Sequence, residues 1–265
     1  MLNINSQISS NLVNNKNLKE KINKQINNFS NSSKTNSNFL TKEINIFDDS
    51  SKTNNIIIYD WDDTFLCTTF FSPFGYFDES IYLNINQDLQ IKKLEAIVLS
   101  LLTLSTLKGD VYIITNSEPG WVEFSSQKIF PSLLESNILK KISIISARGL
   151  YEKHFPRDGK RWKMEAFNDI VNKYNQKLLT NIMSIGDSIN EIEAGKKLGL
   201  SFQKSFIKTI KLKDFPLVDE LINQLNIIRQ KFEYIFYLKK NLTIKVERKI
   251  PNLKHKKSKS VQIYI

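Results

Sequence analysis

Ile56-Ile57-Ile58-Tyr59-Asp60-Trp61-Asp62-Asp63-Thr64 joins an apolar run to a polar, acidic turn. Four consecutive β-favouring residues run without polar alternation and stop at a knot of acids. Such an unbroken apolar run suits a strand covered on both faces, the condition found in a parallel sheet. Moving outward, the pattern repeats. Val111-Tyr112-Ile113-Ile114 leads into Thr115-Asn116-Ser117, and Ile142-Ser143-Ile144-Ile145 leads into Ser146. Asn181-Ile182-Met183-Ser184-Ile185 leads into Gly186-Asp187-Ser188, and Phe206 to Ile210 supplies a fifth run. Between these runs lie stretches with apolar residues at helical spacing: 87–107, 121–137, 162–176, 190–199 (closing on Gly199, a fitting C-cap) and 216–238. This alternation predicts an α/β fold with a doubly wound parallel sheet of about five strands.

The chain has 265 residues, 41% hydrophobic and 25% charged, enough for the core of one large or two small domains. A single cysteine, Cys67, excludes an intrachain disulfide and a Cys-rich zinc module. Two histidines exclude a His-cluster metal site and count against a His-based triad. The longest weakly polar stretch, Ala96 to Leu107, carries Ser and Thr and is too short to span a bilayer. The start of the chain lacks the pattern of a secretory signal. The expectation is a cytoplasmic protein, with a nuclear location left open by its basic end.

Three parts are expected. Residues 1–54 are rich in Asn, Ser and Lys, with a weak helical pattern from Ile8 to Ile26, and read as disordered. Residues 55–238 form the α/β domain. Residues 239–265 read as a basic, poorly ordered tail with a short strand at Leu242–Val246. The formal net charge of +11 follows this division. The tail holds 9 basic residues against 1 acid, residues 1–55 hold 7 against 4, and the remainder holds 22 of each. The tail is therefore the feature through which a nucleic acid or an anionic surface would be bound.

In open parallel sheets, ligands bind beyond the carboxyl ends of the strands. The polar residues after each apolar run therefore belong together: Asp60, Asp62, Asp63 and Thr64; Thr115, Asn116 and Ser117; Gly186, Asp187, Ser188 and Glu191. Carboxylates converge from two strands and hydroxyls from a third. Carboxylates so clustered repel one another unless a cation or proton offsets them. Oxygen ligands with no spare His or Cys point to magnesium over zinc, and a magnesium ion held by few carboxylates completes its shell with water and a phosphate oxygen.

These residues also carry a family resemblance. Asp60-Trp61-Asp62-Asp63-Thr64 after its apolar strand resembles the first motif of the haloacid dehalogenase-like phosphatases, and Val111 to Thr115 resembles their second. Ile185-Gly186-Asp187-Ser188 with Glu191 is similar to their acidic fourth motif, Glu191 standing where the family often has Asp. Their third motif is a basic residue at a helix start. Lys163 fits best, with Lys160 the runner-up and Arg161 third. The resemblance covers about residues 55–212. It implies a three-layer Rossmann-like fold and Mg2+-dependent phosphomonoester hydrolysis through an aspartyl-phosphate. In that reading Asp60 is the nucleophile and Asp62 the general acid and then base. Thr115, Asn116 and Lys163 contact the phosphoryl group. Asp60, the Asp62 carbonyl and Asp187 hold the metal, with Glu191 behind them or bridged by water.

Family members set substrate choice with inserted caps. Here Phe65 to Gln87 is long enough only for an aromatic flap, and the stretch after Ser117 leaves no room for an inserted domain. The expectation is a capless enzyme whose open site takes a phosphorylated, macromolecular or partner-presented substrate. The basic loop 148–161 would attract its anionic group. Two other classes stand beside this one: a non-catalytic binding or regulatory protein of the same fold, and a protein that acts mainly through its basic tail. Asp63 reads as structural, Cys67 as a core or flap residue, His154 as a loop residue, and Trp121 and Trp162 as packing anchors. Substrate and oligomeric state are not legible.

Overall fold

The apolar run that opens the domain forms strand β1, Asn54–Tyr59, and its neighbours explain why it has no polar face. The computed structural model describes residues 54–72, 85–174, 179–202, 204–247 and 261–264. The other strands are β2 (Asp110–Thr115), β3 (Ser143–Ser146), β4 (Leu179–Gly186), β5 (Phe206–Lys211), β6 (Leu242–Glu247) and β7 (Val261–Tyr264). The helices are α1 (Thr68–Phe71), α2 (Ile85–Thr106), α3 (Trp121–Ile129), α4 (Pro131–Glu135), α5 (Ala147–Tyr151), α6 (Gly159–Lys173), α7 (Ile189–Leu200) and α8 (Val218–Tyr237). Asp48–Phe236 with Lys240–Ile265 make one compact unit. Of the described residues, only 237–239 fall outside it.

All strand pairs are parallel, in the order β3-β2-β1-β4-β5-β6-β7. Ile56, Ile57, Ile58 and Tyr59 are each at most 1% exposed. Burying each of these side chains contributes about 1.5–3 kcal/mol. On one face Ile56, Ile58, Tyr112, Ile114 and Ile182 pack with Ala147 of α5, with Trp162, Ala166, Phe167 and Ile170 of α6, and with Ala194 and Leu198 of α7. On the other, the Tyr59 hydroxyl meets Ser105 Oγ of α2 at 2.8 Å. The sheet is therefore the middle of three layers, the Rossmann-like α/β arrangement. β1 sits between β2 and β4, so the strand order reverses beside it. The carboxyl edge at such a reversal is where α/β sheets place ligands.

The sheet has seven strands, not about five. The two extra ones lie in the segment read as a tail. β6 joins β5 in register from Lys208–Leu242 to Lys211–Lys245, with Ile244 and Val246 buried and Lys245 exposed. That one-sided alternation marks a strand towards the sheet's edge. Residues 1–53, including the helical pattern near Ile8, lie outside the described residues, as do 73–84 of the expected flap and 248–260 of the tail. The helix expected over 121–137 is two helices, because Pro131 lacks an N–H and starts a new one. The loop expected at 148–161 includes α5, which Ser146 caps by accepting from Gly149 N at 2.9 Å. Among the described residues no helix is long and apolar enough to cross a membrane.

Candidate functional site

Asp60 is the first residue beyond β1, and its N–H donates to the Ile185 carbonyl of β4 at 3.0 Å. The chain then turns at once. Phe65 and Leu66 N–H donate to the Trp61 carbonyl at 2.9 and 3.2 Å, and Asp63 N–H to the Leu66 carbonyl at 2.7 Å. Asp63 takes a left-handed φ of 52°, uncommon outside glycine. Its carboxylate accepts from Thr69 N at 3.0 Å and from the Thr69 hydroxyl, so it serves the turn. The buried indole of Trp61 donates to Ser125 Oγ of α3 at 2.9 Å.

Carboxylate oxygens of Asp60, Asp187 and Glu191 all lie within 4.8 Å of one another. Lys163, 1% exposed on α6, stands among them, with its Nζ 2.7 Å from Asp60 Oδ1 and 2.5 Å from Glu191 Oε1. Glu191 is held twice over. It closes a capping box at the start of α7, its Oε2 accepting from Ser188 N at 3.0 Å and from the Ser188 hydroxyl at 2.5 Å. Gly186 permits this fold-back, because a Cβ there would sit 2.5 Å from Glu191 Cγ. Asp187 N–H donates to Thr64 Oγ1 at 3.1 Å, which ties the loop after β4 to the loop after β1. Lys211 Nζ binds the Asp187 carbonyl and, at 2.5 Å, Asp214 Oδ1.

The electrostatics follow from this crowding. Burial raises the Asp60 pKa well above the usual carboxylate range. Lys163 offsets part of that rise, and the carboxylates of Glu191, Asp187 and Asp62 add to it. Burial and then Glu191 push Asp187 up to about 7. Burial alone would lower the Lys163 ammonium, yet Asp60 and Glu191 outweigh it and hold its pKa above the ordinary lysine value. Burial opposes ionisation of Glu191 too, but Lys163 and the Ser188 hydrogen bonds win and its pKa is lowered. With all three carboxylates ionised, one ammonium would leave two negative charges unbalanced, which a cation would offset. The donor set is all oxygen and buried, so the cluster can hold a metal ion.

Asp62 is not one of the three clustered carboxylates and is met by four donors. Thr68 Oγ1 (2.6 Å) and Trp121 Nε1 (2.8 Å) reach Oδ1, while Thr115 Oγ1 (2.9 Å) and Ser117 Oγ (2.7 Å) reach Oδ2. The expected phosphate ligand Thr115 is thus bonded to Asp62, and it also accepts from Ser117 N at 2.9 Å. Asn116 Nδ2 donates to the Gly159 carbonyl at 3.0 Å, docking the loop after β2 onto the start of α6. Of the three basic residues weighed at the head of α6, only Lys163 reaches Asp60. Lys160 pairs with Glu193 at 2.7 Å on the surface, and Arg161 lies 3.9 Å over the Phe155 ring. Trp162 is buried and donates to the Phe155 carbonyl at 2.6 Å, a packing anchor as read. Trp121 and Thr68 were not read as site residues. Thr68 lies six residues beyond Asp62, within reach of a tight turn, a cue the sequence offered. Nothing in the sequence pairs Trp121 with Asp62.

No protein-family model and no curated protein sequence matches the chain. Among solved structures, it is similar to the crystal structure of the Legionella pneumophila effector Ceg4 with an N-terminal yeast Hog1p sequence. Identity is 14%, the TM-score is 0.36, and the match covers 72% of this chain and 99% of that one.

Proposed function

We propose that the chain is a haloacid dehalogenase-like, magnesium-dependent phosphomonoester hydrolase. One observation carries the reading: the Asp60 carboxylate sits at the strand-order reversal, paired with a buried Lys163 at 2.7 Å and clustered with Asp187 and Glu191. Among the described residues both hydrogen bonds to that carboxylate, from Lys163 Nζ and from Trp61 N at 2.8 Å, fall on Oδ1. Oδ2 is then the oxygen that attacks phosphorus. Carboxylates are weak nucleophiles and need the target held in line.

In the first half-reaction a bond forms between Asp60 Oδ2 and phosphorus, the ester P–O bond breaks, and Asp62 gives its proton to the leaving alcohol. In the second, Asp62 takes a proton from water, which attacks the phosphorus of the aspartyl-phosphate. Inorganic phosphate leaves and the Asp60 carboxylate is restored. Lys163 fixes Asp60 and offsets charge on the phosphoryl group. Magnesium held by Asp60, the Asp62 carbonyl and Asp187 would supply Lewis-acid polarisation of the phosphoryl oxygens. Both Glu191 oxygens are taken by Lys163 and Ser188, so Glu191 positions Lys163 and the Asp187 loop. Residues between the second and third motifs are taken up by α3, α4, β3 and α5, which supports a site without an inserted cap and a large phosphorylated substrate.

The test is hydrolysis of a generic aryl phosphate with magnesium and with chelator. Turnover that needs magnesium and is lost in Asp60→Asn supports the reading. No turnover by the wild type, or equal turnover by Asp60→Asn, refutes it.

A further inference from the structure

We infer that Trp121 is a positioning residue for Asp62, its indole N–H holding the carboxylate in the direction from which the leaving oxygen is protonated. The inference rests on the phosphatase reading above. Trp121 Nε1 lies 2.8 Å from Asp62 Oδ1. The other three donors to Asp62 are hydroxyls, which rotate and also accept. An indole N–H only donates and keeps one direction. Oδ1 therefore remains an acceptor in every state of Asp62, and the transferable proton is left to Oδ2, the oxygen that faces Thr115 and Ser117.

The mount of this indole is rigid at both ends. Gly120 takes φ 85°, a left-handed turn that brings the chain back after Pro119 and starts α3 at Trp121. The Trp121 carbonyl accepts from Ser125 Oγ at 2.7 Å, and that hydroxyl accepts from Trp61 Nε1 at 2.9 Å. Trp61 is fully buried and directly follows Asp60. The first turn of α3 is thus fastened to the same turn that carries Asp60 and Asp62, so neither partner of the Trp121–Asp62 bond moves without the other. Locked supporting contacts of this kind keep a reacting group within the narrow tolerance that catalysis needs. The rival reading is packing alone. The Trp121 ring lies 6.1 Å from Phe124 at a 34° tilt, and a phenylalanine would preserve that contact.

The experiment compares full-length wild type and Trp121→Phe, with magnesium, on an aryl phosphate whose phenolate leaves readily and on an alkyl phosphate whose alkoxide needs a proton. Positioned proton transfer contributes about a hundredfold or more to rate, and its loss falls on the poor leaving group. The inference predicts a roughly tenfold lower kcat on the alkyl ester, less than about twofold on the aryl ester, and unchanged KM on both. In an Asp62→Asn background, Trp121→Phe adds no further discrimination between the esters. Equal losses on both esters, or none, with an active wild type overturn the inference and leave the phosphatase reading standing. A wild type that turns over neither ester removes both. Independently of activity, Asp62→Asn shifts the indole N–H resonance of Trp121 and leaves those of Trp61 and Trp162 in place; an unmoved Trp121 resonance overturns the contact itself.

Discussion

Lys163→Met removes the one ammonium from the acid cluster while keeping most of the side-chain volume. The lysine is 1% exposed and bridges Asp60 and Glu191 at 2.7 and 2.5 Å. Without it, two buried carboxylates face each other with oxygens within 4.8 Å. Were both ionised they would repel by about 3.5 kcal/mol at an effective dielectric of about 20, so in the metal-free variant Asp60 takes up a proton instead. Methionine avoids the cost of burying an ammonium, but removing one partner of a buried ion pair still costs about 3–5 kcal/mol. We expect a loss of about 3 kcal/mol in urea unfolding at neutral pH in chelator. The ionised cluster goes from two net negative charges to three, so magnesium stabilises the variant more than the wild type. At one magnesium concentration well above both dissociation constants, the variant gains about 1.4 kcal/mol more than the wild type for each tenfold tighter binding. A loss below about 1 kcal/mol, or equal magnesium gains in both proteins, would refute the picture of Lys163 as the cluster's internal cation.

Asp187 has its folded pKa raised from 3.8 to about 7, so the metal-free fold binds an extra proton between those values. Metal-free stability therefore falls as pH rises from about 4 to about 7, magnesium offsets that fall, and chelator-treated protein with a flat profile would contradict it. Lys208, fully buried on β5, donates to Asn181 Oδ1 and to the Phe236 carbonyl at 2.7 Å, and burial lowers its pKa from 10.5 to about 7. The unfolded chain then binds the extra proton, so stability rises with pH between about 7 and about 10, by an amount of order 4–5 kcal/mol; Lys208→Met lacks this rise, and parallel profiles would show the reasoning wrong. Gly186→Ala drives a methyl group to 2.5 Å from Glu191 Cγ. It lowers stability by about 1–3 kcal/mol and weakens magnesium-linked stabilisation, whereas wild-type behaviour in both would remove Gly186 from the account.

Much of the site was legible because it lies in short loops at the ends of apolar strands. The runs ending at Tyr59, Thr115 and Gly186 are buried on both faces, so the chain spells them without alternation, and topology brings their ends together. Lys163 was separable in principle from Lys160, since it shares a buried helical stripe with Ala166, Phe167 and Ile170. β6 was harder to see as part of the sheet. Its alternation of Ile244 and Val246 with Lys245 is that of a strand near the edge, and the surrounding lysines dominate the composition. The Trp121–Asp62 bond was not legible at all. It depends on the φ of Gly120 and on the depth at which Trp61 anchors α3, and both are properties of packing. Glu191 was read as a metal partner at one remove. Its part in holding Lys163 follows from a capping box whose cue, Ser188 three residues before Glu191, stands in the sequence.

The measurement closest to the central claim is the trapping of phosphate on Asp60. Asp62→Asn, which cannot activate water for the second half-reaction, is mixed with an aryl phosphate and magnesium, quenched in acid and digested for mass spectrometry. A phosphorylated peptide carrying Asp60 is expected, absent in Asp60→Asn and absent when magnesium is chelated. An unmodified Asp60 peptide during ongoing turnover, or phosphate carried by any other residue, would contradict it.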